Sequence, residues 1–152
     1  FSVNGIPAQS TTSTSFFLPN IQQVSAAIAI LSSDLFWWWY TVTSNLRHLN
    51  PAVWKKFPIR ATAIDDLEIA RLGAIYVSDL KKNSKILIRH QKTTGKTQTQ
   101  SFRIQKSKSI INNIDLILSK YYDFNEEEID FLTNYDIKYR MGLSQEVEWG
   151  EV

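Results

Sequence analysis

Nine basic residues, Lys81, Lys82, Lys85, Arg89, Lys92, Lys96, Arg103, Lys106 and Lys108, follow one another with no Asp or Glu between Lys81 and Lys108. Acids concentrate elsewhere: nine of them lie between Asp123 and Val152, where only Lys138 and Arg140 are basic. The formal net charge of +2 therefore averages two opposed blocks. A dense run of ammonium and guanidinium groups neutralises phosphates and displaces their counterions, so its natural partner is a polyanion. The same run has a plainer use, since lysines on an edge hairpin block strand-to-strand aggregation.

Other constellations point to less. His48 and His90 have no metal-ligand spacing. The glycines at 5, 73, 95, 142 and 150 are scattered and build no phosphate-binding loop. No Ser/His/Asp or Cys/His motif is present. Glu126-Glu127-Glu128 and Asp65-Asp66 read as helix starts, where carboxylates offset the dipole, rather than as cation sites. Asp130, Asp136 and Lys138 have the residue types of a metal-dependent nuclease, but their spacing suits one side of a helix. Leu35-Phe36-Trp37-Trp38-Trp39-Tyr40 offers rings for base stacking, yet six consecutive bulky residues suit a central position in the core.

The elements that position these residues follow from periodicity. Thr14–Leu18 reads as a short strand ended by Pro19. Asn20 with Gln23 has capping-box spacing before a helix carrying Ile21, Val24, Ile28 and Leu31. Ser32-Ser33-Asp34 breaks or re-caps that helix ahead of the aromatic run. Asn50-Pro51 starts a short helix that Pro58 stops. Ala61–Leu80 is one helical segment with the stripe Ile69, Leu72, Tyr76 and Leu80. The period then changes to two: Lys85–Gln91, a turn at Thr93–Lys96 and Thr97–Ile104 form an antiparallel hairpin. As a two-stranded ribbon it would enter a major groove turn first, with Arg89, Gln91, Gln98 and Gln100 able to reach base edges. Two helices close the chain, one carrying Ile110 to Tyr121. The other is started by Asn125 and Glu128, with Phe124 packing on Ile129, and extends to Tyr139. Residues 143–152 are expected to fray.

The expectation is an α+β fold, mainly helical, with a basic antiparallel hairpin over about 85–104 and a short N-terminal strand. A chain of 152 residues buries a sizeable core without staples. Cysteine is absent, which excludes disulfides and thiolate metal sites and fits a cytoplasmic location. Val24–Tyr40 is interrupted by Ser25, Ser32, Ser33 and Asp34 and is short for a membrane span, so no membrane partner is expected. The chain starts at Phe1 with no signal-peptide pattern, the expectation for a processed chain or a piece of a longer one.

Two stretches carry a family likeness. Ser32-Ser33-Asp34-Leu35-Phe36-Trp37-Trp38-Trp39-Tyr40, then Arg47-His48-Leu49-Asn50, then Trp54-Lys55-Lys56-Phe57-Pro58-Ile59 resembles the target-recognition region of adenine-specific DNA methyltransferases, above all the fused type II restriction–modification enzymes. Ile104–Ile111, Ile114-Asp115, Tyr121–Phe124 and Asn134-Tyr135-Asp136-Ile137-Lys138-Tyr139-Arg140-Met141-Gly142 resembles the extreme C-terminus of the same enzymes. The resemblance implies that residues 1–60 end a target-recognition domain and that 61–152 form a helical subdomain holding the hairpin. It implies double-stranded DNA and an upstream methyltransferase domain as partners. That upstream domain would bind S-adenosylmethionine and flip an adenine into an Asn-Pro-Pro-Tyr pocket. Neither that motif nor the cofactor motif occurs here, since Asn50-Pro51 is followed by Ala52-Val53. The fragment is therefore expected to hold no cofactor and no catalytic residue; its alternative role is a protein-interaction module packed on the methyltransferase domain. The candidate DNA contacts are Arg47, His48, Lys55, Lys56, Lys81, Lys82, Lys85, Arg89, His90, Lys92, Lys96, Arg103, Lys106 and Lys108. Most of the lysines are assigned to phosphates, and Arg47, His48 and Arg89 to more specific contacts.

Overall fold

The computed structural model describes residues 1–8, 15, 17–47, 49, 51–93 and 95–142, with only the backbone of Gln91. The fold is α+β and mainly helical, with one small antiparallel sheet. In chain order the elements are β1 (Ser2–Val3), β2 (Ile6–Pro7), α1 (Ile21–Ser32), α2 (Asp34–Thr43), α3 (Pro51–Trp54), α4 (Ala61–Ile64) and α5 (Leu67–Lys82). Then come β3 (Lys85–Gln91), β4 (Gly95–Ser101), a 3-10 turn (Ile104–Ser107), α6 (Lys108–Tyr121), α7 (Glu126–Asn134) and α8 (Ile137–Arg140).

Short polar side chains decide where the helices stop and start. The Ser33 hydroxyl donates to the Ile30 carbonyl at 2.7 Å and accepts from the Phe36 amide at 3.0 Å, so one buried residue ends α1 and caps α2. Asn20 caps α1 by accepting from the Gln23 amide, but the Gln23 side chain does not complete a capping box. It donates instead to Asp65 at 2.7 Å, tying the start of α1 to the start of α5. The helix expected over Ala61–Leu80 is two helices. Asp66 interrupts it, accepting from the Glu68 and Ile69 amides at 2.7 and 2.9 Å. The Tyr121 hydroxyl also donates to Asp66. Partial desolvation opposes ionisation of that carboxyl, but Tyr121 and the two amides hold it below the usual carboxylate range. Asn125 and Glu128 form the expected capping box, at 3.0 and 2.9 Å.

The core lies among α1, α2, α5, α6 and α7, so residues on both sides of position 60 share it. Ile30, Ile69, Ile111 and Ile114 are fully buried, with Leu35, Phe36, Leu72, Leu118 and Leu132 around them. The closest packing is between α1 and α5, where a Cβ placed on Gly73 would lie 1.9 Å from the Ser25 carbonyl oxygen. The aromatic run is less central than its composition suggests. Leu35 and Phe36 are buried, whereas Trp37, Trp38, Trp39 and Tyr40 are half-buried. A helix has one inward face, so a continuous apolar run must leave part of itself outside. Phe57 packs edge-on against Phe36 at 5.1 Å and against Trp39 at 5.3 Å, closing the loop stopped by Pro58. No described helix is long and apolar enough to cross a membrane.

The sheet order is β2-β1-β4-β3, antiparallel throughout. The expected strand at Thr14–Leu18 is not formed by its described residues, Ser15, Phe17 and Leu18; Thr14 and Phe16 lie outside the described residues. The N-terminal strands are β1 and β2, joined by Asn4 and Gly5 with φ of 50° and 83°. This small hairpin lies against β4. Asn4 donates its amide to the Lys96 carbonyl at 2.7 Å and accepts from the Lys96 amide through its side chain at 2.9 Å. Gly95 makes that contact possible, because a Cβ there would stand 2.5 Å from Asn4 Oδ1.

Candidate nucleic-acid interface

β3 and β4 pair in register from Lys85↔Ser101 to Gln91↔Gly95. No described side chain on either strand is buried, so the ribbon contributes little to the core and stands at its margin. Its cations gather around the sheet. Lys81 and Lys82 end α5, Lys85, Arg89 and His90 are on β3, Lys92 is in the turn, and Lys96 is on β4. All of these are exposed. Arg103 is half-buried beside Lys85, Leu87 and Ser101, and Lys106 is exposed on the 3-10 turn. Among the described residues none of these groups lies within ion-pair distance of an acid. Lys81 and Lys82 also sit in the last turn of α5, where cations favour the helix dipole.

Three expectations change. The turn cannot lead a two-stranded ribbon into a groove, because β1 and β2 widen the sheet beside it to four strands. Four strands span about 14 Å between outer backbones, more than a major groove of about 12 Å. Arg47, Lys55 and Lys56 are exposed but belong to the connection from α2 to α4, which packs on α2 rather than joining the sheet. Lys55 lies over the Trp54 ring at 5.7 Å. Lys108 is not an open phosphate contact. Its ammonium donates to Asp34 at 2.6 Å, Asn112 at 2.6 Å and the Thr133 carbonyl at 3.1 Å, which uses all three N–H groups. His48, the Asn50 cap, Thr94 in the turn and the tail 143–152 lie outside the described residues.

Lys108 belongs to a second charged centre that composition does not reveal. Asp34, at the buried start of α2, receives Lys108 through one oxygen and Arg140 through the other, each at 2.6 Å. The Arg140 guanidinium also donates to the Ser33 and Ser32 carbonyls at 2.9 and 2.5 Å, capping the C-terminal end of α1. Asp115, from the middle of α6, accepts from the Asp34 and Leu35 amides at 3.0 and 3.1 Å. Burial first, and the neighbouring Asp34 charge second, raise the Asp115 carboxyl to about 7. Arg140 reaches this centre because the last helix breaks. The helix expected to run to Tyr139 stops at Asn134, Asp136 takes a left-handed φ of 49°, and α8 redirects the chain. The centre thus joins α1, α2, α6, α7 and α8.

This arrangement is a scaffold rather than a catalytic pair, since both Asp34 oxygens and all three Lys108 donors are occupied by one another, by Arg140, by Asn112 or by the Thr133 carbonyl. The described residues contain no group of three His, Cys, Asp or Glu side chains placed to hold a metal. Asp130 accepts from Asn134 within α7, while Asp136 lies beyond the helix break. Trp37, Tyr40, Tyr76 and Tyr139 line a cleft beside the centre, with Arg140 over the Trp37 ring at 5.8 Å. No family model, curated protein or solved structure matches this chain.

Proposed function

We propose that this chain is the DNA-contacting, target-recognising part of an adenine-specific DNA methyltransferase of the restriction–modification type, and that it performs no chemistry itself. The observation that supports this most is the basic sheet: a series of exposed cations, unpaired among the described residues, on a ribbon at the margin of a helical body. Holding such groups close together costs electrostatic self-repulsion, which a duplex with one charge per about 1.7 Å of axis would relieve. The likeness of Ser32–Ile59 and Asn134–Gly142 to methyltransferase sequences supplies the biological setting. In that setting an upstream cytoplasmic methyltransferase domain binds S-adenosylmethionine and flips the target adenine. This chain grips the flanking duplex and supplies part of the roughly few kcal/mol that flipping costs.

The test is a gel shift of the full chain with a duplex of about 30 base pairs at several salt concentrations, run with and without magnesium. Retardation that weakens steeply with salt, without cleavage, is expected. Salt-insensitive binding or none favours the alternative role, a module that packs on a methyltransferase domain; magnesium-dependent cleavage contradicts the non-catalytic reading.

A further inference from the structure

β3 is a long strand with a neighbour on one side only. The sheet order β2-β1-β4-β3 leaves its far side open along all of Lys85–Gln91. Every second residue of an edge strand points its N–H and C=O away from the sheet, in a row that another extended backbone completes. The strand register and its alternation sort the side chains into two unlike faces. Lys85, Leu87 and Arg89 share one, and Ile86, Ile88 and His90 share the other. Ile86 and Ile88 are 59% and 51% exposed. Lys85 and Arg89 are exposed too, and no acid lies within ion-pair distance of them among the described residues.

The edge itself fits a peptide strand better than a duplex. A phosphate neutralises a lysine or an arginine, but it leaves the open backbone row unpaired and the two isoleucines in water. A second copy of β3 does not fit either. Antiparallel pairing centred on Leu87 sets each Ile86 against Ile88 of the copy, but it also sets Lys85 against Arg89, and like charges directly opposite are destabilising. Centring on Ile88 removes that repulsion but sets Leu87 against Arg89 and Ile86 against His90, so the apolar contact is lost. The charges that keep β3 from pairing with itself are the ones that admit an acidic strand. Such a strand carries carboxylates opposite Lys85 and Arg89 and aliphatic side chains opposite Ile86 and Ile88. Its core reads acid–aliphatic–any–aliphatic–acid, the same in either strand direction.

We infer that the open edge of β3 takes an extended acidic segment of a partner protein as an added strand. Backbone hydrogen bonds give the affinity, and the alternating carboxylate and aliphatic side chains give the specificity. This inference does not depend on the DNA-binding role. Where a duplex also uses Lys85 and Arg89, the two partners exclude each other.

The full chain is titrated with a short synthetic peptide carrying Glu-Ile-Thr-Val-Glu at its centre. Fluorescence anisotropy measures the binding, and hydrogen exchange reports on the β3 amides. One control has the same composition with the two glutamates adjacent; another is the alternating peptide N-methylated through its centre. The alternating peptide is expected to bind about fivefold or more tightly than the rearranged one, to protect every second amide of β3, and to lose binding on N-methylation. Lys85→Glu/Arg89→Glu should reverse the preference toward a peptide with lysine in place of both glutamates. Both positions lie outside the core, so an unchanged urea midpoint verifies that the variant folds. Equal binding of the rearranged or N-methylated peptide shows attraction by charge alone and overturns the inference. Protection of the β3 amides that rises with protein concentration in the absence of peptide assigns the edge to a second copy and also overturns it, as does no binding of any peptide.

Discussion

Lys106 and Lys108 are two residues apart in one basic run, yet they belong to different physical systems. Lys106 stands exposed on the 3-10 turn, with no acid within ion-pair distance among the described residues, whereas Lys108 is drawn under the chain to Asp34. The basic sheet and the buried centre differ in the same way throughout. In the sheet, cations are solvated and their charge is directed outward. In the centre, one carboxyl, Asp34, pairs with two cations, while Asp115 and Arg140 satisfy backbone groups at the ends of two helices. The first arrangement suits a long-range partner and adds little to stability. The second adds rigidity and has little to offer a partner. A local count of charges cannot tell them apart; what separates them is the helical phase that turns Lys108 inward and the distant residues waiting there.

Substitutions should therefore separate the two regions cleanly, with the largest effects in the buried centre. Arg140→Ala strips one partner from Asp34 and leaves two α1 carbonyls without their donor, and it should lower unfolding free energy by about 3–5 kcal/mol. Lys108→Ala should lie near the lower end of that range, and Lys106→Ala within about 0.5 kcal/mol of wild type. Urea denaturation measures all three, and similar values for Lys106→Ala and Lys108→Ala would contradict the distinction. Gly73→Ala comes next. Alanine gains about 1 kcal/mol of helix propensity, but its Cβ must push α1 from α5, so a net loss of about 1–3 kcal/mol is expected in thermal melts. Asn125→Ala removes the α7 cap and should cost about 1 kcal/mol.

The pH dependence sharpens the same contrast. Asp115 is raised in the folded state, so between the ordinary aspartate range and about 7 it keeps a proton that the unfolded chain has released. Its contribution to stability is full at acid pH and is lost as pH rises through about 7. The urea midpoint should fall between pH 5 and pH 8, and Asp115→Asn should flatten that fall. A midpoint that rises across this window would show that Asp115 is ionised beside Arg140.

Much of the fold could be read from local chemistry. Of the expected stripe, Ile69, Leu72 and Tyr76 are buried and Leu80 is half-buried, the Asn125–Glu128 box is formed, and β3 spans the expected Lys85–Gln91. The misses are of two kinds. Some were short: β1 and β2 have two residues each, too few for periodicity, and their one signal was the Asn4-Gly5 dipeptide, a turn former with both φ positive. Others were long-range. Asp34 meets Asp115 across 81 positions and Arg140 meets Ser33 across 107, and no spacing rule connects them. Gly73 looked like one of five scattered glycines because its meaning lies in the Ser25 carbonyl of another helix. The basic ribbon was legible because it is local, being charge, alternation and a turn within one segment. Its two faces needed the register, and its four-stranded width needed the N-terminus.

The slope of log affinity for duplex DNA against log salt, compared between wild type and Lys81→Ala/Lys82→Ala/Lys85→Ala/Arg89→Ala, tests the division between ribbon and scaffold most directly. Each phosphate contact removed should lower the slope by about 0.9, with the urea midpoint unmoved. An unchanged slope, or a variant that loses stability together with binding, would contradict it.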